Sequence, residues 1–249
     1  MDGGPGDDII WLINPEQRAL DDIDRRNFAY GGEGDDKIYG TAAGDRIVGD
    51  IEYRNPLVAE LGESDLIGGD DYLRGYEGDD LLQGGFGNDI IIGDEGVDRL
   101  EGNIGDDKIY GGEGGDTIYG DGDIDDPFFF GDDIMYGGAG IDFIRGGNGD
   151  DILHGGEDSD ILYGGAGEDI IYGGEGGDFI ASGYGWDTIF GGDGCDVVGT
   201  LDGGDVVWLG DCEGTAVGDQ KVTINGTGDD PENFTVIMDF WLESANPWN

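Results

Sequence analysis

Apolar residues recur along this chain in short pulses nine residues apart, separated by glycines and acidic residues. The stretch from Tyr163 to Ile180 reads YGGAGEDIIYGGEGGDFI, one unit written twice. Counted from the residue after the tyrosine, glycine holds the first, second and fourth places and aspartate the sixth. An aliphatic residue follows at the eighth place: Leu73, Leu82, Ile91, Leu100, Ile109, Ile118, Met135, Ile144, Leu153, Leu162, Ile171, Ile180, Ile189, Val198 and Val207. Places seven to nine predict a three-residue strand whose middle side chain points one way and whose flanks point the other. The GGxGxD remainder predicts a turn, because glycine supplies backbone angles that other residues resist. Such short strands cannot stand alone. A coil of two repeats stacked on the next coil solves this, with two parallel sheets around a single file of aliphatic residues. At about 4.8 Å per strand, about eight coils form a rod roughly 38 Å long.

The sixth-place aspartate sets the register. It falls at Asp71, Asp80, Asp89, Asp98, Asp107 and Asp116, then at Asp133, Asp142, Asp151, Asp160, Asp169, Asp178, Asp187, Asp196 and Asp205. The step from Asp116 to Asp133 is 17 residues, and Asp125 lies nine after Asp116. GDGDIDDPFFFGDD is therefore expected to be a degraded repeat followed by one shortened by a residue, giving sixteen consecutive repeats. Upstream, residues 1–70 carry irregular copies marked by Asp8, Asp36 and Asp45, with two insertions. NPEQRALDDIDRR, Asn14 to Arg26, predicts a short helix, with Asn14 as cap and Pro15 in its first turn. Ile51 to Ser64 predicts a loop. Residues 71–208 form the regular array. Residues 209–249 lose the glycines, and QKVTING and NFTVIMDFW predict β-strands that cap the stack.

Composition sharpens this picture. Of 249 residues, 56 are glycine, and 11 Lys+Arg face 59 Asp+Glu, a formal charge of −48. That balance ordinarily means disorder, yet 37% of residues are hydrophobic. A chain this acidic repels nucleic acid and attracts cations. No apolar run is long enough to span a membrane. The start, MDGGPGDDII, lacks the basic and apolar segments of a secretory signal peptide.

The array thus needs a cation, and the ligands on offer are carboxylate and carbonyl oxygens. Such hard donors favour Ca²⁺, which accepts six to eight of them in flexible geometry. In a stacked coil the facing turn lies two repeats away. Each ion is therefore expected between aspartates 18 apart, as between Asp151 and Asp169 or Asp160 and Asp178, and not between sequence neighbours. Sixteen repeats allow up to about fourteen such ions, whose charge offsets much of the −48.

GGAGEDIIY, GGEGGDFIA, GGNGDDILH and GGEGDDKIY resemble the GGxGxDxUx repeat of the RTX, or haemolysin-type, calcium-binding family. The resemblance implies a right-handed parallel β-roll. It implies Ca²⁺ held by the sixth-place aspartates, here Asp36 and Asp45 together with the array from Asp71 to Asp205. Carbonyls of the turns join them, with Gly138, Gly140, Gly147, Gly149, Gly165, Gly167, Gly174 and Gly176 in the clearest copies. It also implies export by a type I secretion system, with folding outside the cell. VIMDF resembles the strand that often closes such arrays. Weakened turns, GTAAGD, GDGDID and the TLDGGD before Val206, depart from the pattern and put their own ions in question.

Enzymes that carry such repeats keep their catalytic domains elsewhere, and this chain has no room for one. HExxH and GxSxG are absent, and the one histidine, His154, is expected on the surface. Sorting by 18 places Tyr119, Tyr136, His154, Tyr172, Phe190 and Trp208 on one outer face, and Phe143, Ile161, Phe179 and Val197 on the other. These apolar faces read either as cross-strand ladders, or as contacts for self-association or a polysaccharide. Cys195 and Cys212 either form one bridge, stapling the last coils, or stay free thiols. Asn225-Gly-Thr and Asn233-Phe-Thr are glycosylation sequons. The expected function is a secreted, non-enzymatic, calcium-dependent β-roll in an extracellular layer, filament or adhesin. The alternative is a calcium-dependent carbohydrate-binding or folding module of a larger exoenzyme.

Overall fold

The computed structural model describes residues 1–12, 27–41, 45–49, 68–121, 130–200, 205–210 and 235–236. Among these residues the chain is an all-β parallel solenoid. Successive strands alternate between two sheets, ten strands in one and eleven in the other. Within a sheet the register advances by one coil. Ile152 pairs with Ile170, Leu153 with Ile171, His154 with Tyr172, and Gly156 with Gly174. The eighth-place aliphatics from Leu73 to Val207 are all buried in one continuous core, which Ile10, Ala29, Ile38 and Ile47 extend upstream. The strands before Tyr72 continue the same two sheets, Lys37–Tyr39 pairing with Tyr72–Glu77 and Asp45–Val48 with Leu81–Phe86.

The strands are longer than the three residues expected. Most span six, as in Ile161–Ala166 and Ile170–Glu175, so pairing continues through the first three places of the next repeat. Glycine permits this. At the second place it holds a positive φ, 134° at Gly165 and 122° at Gly174, so the strand bends toward the turn without breaking its ladder. The true turn is only places four to six. Among the described residues, four that are not glycine also stand at positive φ: Tyr76, Asp94, Asn103 and Asp158. Asp158 occupies a fourth place, at φ 73° and exposed. Asp158→Gly should therefore raise the stability of the folded protein by about 0.5–1 kcal/mol in thermal melts.

The stretch after Tyr119 differs from its sequence reading. Ile109 pairs with Met135, and Ile118 with Ile144, so the strand Thr117–Tyr119 is followed directly, in coil order, by Ile134–Ala139. No repeat intervenes. The segment is an insertion into one turn, since aspartates on facing coils are here 26 residues apart where in the rest of the array from Asp71 they are 18. The regular array therefore holds fifteen repeats, not sixteen. Asp125 lies outside the described residues. The error arose because the inserted length nearly equals one repeat, and a count by nines absorbed it. The offsets of 28 and 35 residues upstream reflect the two earlier insertions. The helix expected over Asn14–Arg26 and the loop over Ile51–Ser64 lie outside the described residues.

The insertion also re-sorts the outer faces. Tyr119 lies with Phe143, Tyr163 and Phe179 on one sheet, their rings tilted by 45–56° to one another. On the other sheet Tyr110, not Tyr119, heads a column continued by Tyr136, His154, Tyr172, Phe190 and Trp208. Its centroids are 4.5–5.1 Å apart and its rings parallel within 5°. The coil spacing imposes this, since parallel in-register strands set identical places about one strand width apart. Burial pushes the pKa of His154 down, so it stacks as a neutral ring at neutral pH. Downstream, Thr235–Val236 pairs with Val206 and Val207. QKVTING and the rest of the expected cap lie outside the described residues. Cys195 is disulfide-bonded, and the only other cysteine, Cys212, lies outside the described residues.

Candidate metal centre

The alternation of a strand decides where the aspartates point. Asp151, Leu153 and Gly155 face inward, while Ile152 and His154 face outward. An aspartate two places before a core aliphatic must therefore be buried. Asp36, Asp45 and every sixth-place aspartate from Asp71 to Asp205 are at most 8% exposed.

These carboxylates form two columns, one under each row of turns. In each, the backbone N–H of one aspartate donates to Oδ1 of its counterpart a coil later. One column runs Asp8, Asp36, Asp71, Asp89, Asp107, Asp133, Asp151, Asp169, Asp187 and Asp205. The other runs Asp45, Asp80, Asp98, Asp116, Asp142, Asp160, Asp178 and Asp196. Asp169 accepts from Asp151 at 3.0 Å and donates to Asp187 at 3.0 Å, while Asp178 belongs to the other column. The expected partnership between coils, not between sequence neighbours, is what the fold builds.

Each of these bonds uses one carboxylate oxygen. The other, Oδ2, is buried and accepts no hydrogen bond in Asp36, Asp80, Asp98, Asp107, Asp116, Asp133, Asp142, Asp151, Asp160, Asp169, Asp178 and Asp196. It lies against the first-place glycine of its own turn and, except at Asp196, beside the first-place carbonyl of the next coil. Around Gly146 these neighbours are Asp151 Oδ2 and Gly164 O, and around Gly155 they are Asp160 Oδ2 and Gly173 O. A Cβ at either glycine would collide with both oxygens, so only glycine leaves them facing. Buried carboxylates left this way are costly. Burial, reinforced by neighbouring carboxylates, drives their pKa values up: to about 8 for Asp80 and Asp133, about 7 for Asp116, Asp160 and Asp169, and about 10 for Asp151.

The donor set fits calcium. Unused carboxylate oxygens and turn carbonyls are hard ligands in number, and histidine and cysteine are absent from both columns. No group of three acidic, histidine or cysteine side chains surrounds one point among the described residues. Carbonyls must therefore complete each site. The predicted glycines have the backbone shape for this. Gly138, Gly147, Gly165 and Gly174 at the second place, and Gly140, Gly149, Gly167 and Gly176 at the fourth, all hold φ between 119° and 145°. Asp45 departs from the pattern. Its Oδ2 accepts the N–H of Thr41 at 2.6 Å, so the GTAAGD turn already occupies the oxygen that other turns leave facing the column. The turn before Asp205 lies outside the described residues.

Sequence reasoning missed two features. The first-place glycines, such as Gly146 and Gly155, were read as turn formers. Their recurrence across most repeats was the signal that a side chain crowds the oxygens there, and Ser182, which bonds Asp187, is an exception. The second is an outer ladder along one edge, in which Asp35, Asp70, Asn88, Asp106, Asp132 and Asp150 each accept the N–H of the fifth-place residue in the next coil. That signal repeats every 18 residues, so a nine-residue reading hides it.

No helix among the described residues is long and apolar enough to cross a membrane. No curated protein matches the chain. The RTX calcium-binding nonapeptide repeat matches at residues 24–51, 67–100, 92–126, 129–162, 145–180 and 163–198, well over half of the chain. With its columns of inward aspartates, facing carbonyls and parallel coils, the chain belongs to the family of RTX calcium-binding repeat proteins.

Proposed function

We propose that this is a secreted, non-enzymatic β-roll that folds on meeting extracellular calcium and serves as a structural or assembly module of an extracellular layer, filament or adhesin. The observation that carries the reading is the stacked column from Tyr110 to Trp208. It presents six rings on one flat outer face, while Ile161, Phe179 and Val197 are exposed on the other. Apolar faces on both sides of a thin rod favour lateral association. RTX repeat proteins are generally secreted, and a disulfide at Cys195 suits an oxidising compartment. Fifteen repeats leave thirteen inter-coil positions, so up to about thirteen ions in the regular array replace the earlier figure of fourteen. Sedimentation across a calcium titration tests assembly. Ordered polymers or oligomers should appear as calcium rises, and a monomer at every calcium concentration would contradict the reading.

A second reading, a carbohydrate-binding or folding module of a larger exoenzyme, is favoured by a groove of about 620 Å³ on the sheet of Tyr163. It is lined by Phe143, Arg145, Asn148, Tyr163, Tyr184 and Thr200. Aromatic platforms beside polar groups suit sugar rings. Calcium-dependent retention on a polysaccharide column, lost in Tyr163→Ala, would favour it over assembly.

A further inference from the structure

Both sheets carry a shallow trough on the outer face, and the two troughs have different walls. In each, second-place glycines form a floor between the ninth-place column and the third-place column. On the sheet of His154 the floor runs through Gly156, Gly174 and Gly192, and the third-place wall is Glu157, Glu175 and Asp193. On the sheet of Tyr163 the floor is Gly147, Gly165 and Gly183, and the same wall is Asn148, Ala166 and Tyr184.

The second trough differs in depth, ring geometry and charge. Its ninth-place column shrinks from Tyr163 to Ala181 and Gly199, which deepens it into the groove of about 620 Å³. Its rings have open faces. Tyr163 is tilted by 45° to Phe143 and by 56° to Phe179, and Tyr184 is 62% exposed. On the other sheet the rings stack parallel within 5° and cover one another. Among the described residues the groove has no acidic lining residue, in a chain with 59 Asp+Glu, and it has one cation, Arg145.

Arg145 stands one coil before Tyr163 in the ninth-place column. Its guanidinium is a planar fork of donors that matches a carboxylate. It also acts on Asp121, a buried acid that does not line the groove. The formal charge of −48 repels anions at a distance, which disfavours a ligand with a run of negative groups. One negative group placed at Arg145 escapes most of that penalty.

We propose that this groove binds a sugar chain at an isolated acidic unit, with the sugar carboxylate on Arg145 and the neighbouring neutral ring against Tyr163 and over Ala181. The two units then lie along the glycine floor, about one per coil. The inference rests on the carbohydrate-binding reading of the groove and names its ligand.

Calorimetry on the calcium-loaded whole chain, at a fixed free-calcium concentration, tests it. The probe is a disaccharide of one glucuronate and one galactose, compared with its uncharged methyl ester. The acid should bind about tenfold more tightly than the ester. In Arg145→Gln that preference should shrink to within about twofold, with binding of the ester kept. Ala181→Tyr, which fills the gap with another ring and leaves Arg145 in place, should abolish binding of both. Glu175→Gln, in the opposite trough, should leave both within about twofold of wild type. Equal binding of acid and ester by the wild type would overturn the proposal and leave carbohydrate binding standing. Binding of neither would overturn both.

Discussion

Removing calcium at neutral pH should abolish the β structure of this protein. The core contributes one aliphatic side chain per nine residues, and from Leu73 to Val207 each is accompanied by a buried aspartate. With calcium present, carboxylates and carbonyls hold the coils together. Without it, two columns of buried negative charge face one another. The pKa values give the sign. Aspartates whose ordinary value is 3.8 are raised to about 6 in Asp98, Asp142 and Asp178, and to about 8 in Asp80 and Asp133, chiefly by burial. A group whose pKa is raised on folding favours the folded state below its unfolded value, and that advantage is lost as pH rises through the folded value. Each pKa unit is worth about 1.4 kcal/mol, and with many carboxylates shifted together the loss exceeds the roughly 5–15 kcal/mol that stabilises an ordinary domain. Circular dichroism with chelator should therefore show an unfolded chain at neutral pH. In the same chelator, β signal should return as pH falls below about 6, as the carboxylates protonate. A fold indifferent to chelator at neutral pH would contradict the account.

The second large effect comes from Asp151→Asn, and its sign depends on calcium. The asparagine oxygen still accepts the N–H of Asp133, so the ladder bond at 2.9 Å survives. The charge is lost from the column that runs through Asp133, Asp151 and Asp169. In calcium, the variant should unfold about 3 kcal/mol more easily, the order expected when one member of a buried ionic cluster is removed. In chelator the effect should reverse. Asp151 carries a pKa of about 10, raised by burial and by Asp133, so at neutral pH the metal-free roll must take up a proton there, a cost that asparagine removes. Denaturant unfolding measures the calcium arm, and the pH at which β signal returns in chelator measures the other, expected to be higher in Asp151→Asn than in wild type. A destabilised variant whose β signal in chelator returns only at a lower pH than wild type would mean that Asp151 serves packing alone.

Much of this architecture is legible in the sequence because one period controls everything. Alternation two residues apart fixes both the core aliphatic and the inward aspartate, so Leu153 and Asp151 are read together. Doubling the nine-residue unit then gives the partnership of Asp151 with Asp169. The period fails where length imitates it. The inserted segment after Asp121 is close to one repeat long, so it passed as a repeat and carried Tyr119 to the wrong face. Pairing of Ile118 with Ile144 corrects it. The period also hides what a single coil does alone. Thr41 closing on Asp45 within its own turn, and Asp121 reaching the next turn, are contacts that no repeat pattern encodes.

The central claim is that calcium bridges successive coils. A crystal structure of the calcium-loaded protein, with anomalous diffraction to locate the metal, tests it most directly. The account predicts two columns of ions, each ion lying between aspartates one coil apart, with one between Asp151 and Asp169 and another between Asp160 and Asp178. Ions bound instead between sequence neighbours such as Asp160 and Asp169, or columns holding no metal in a folded protein, would contradict it.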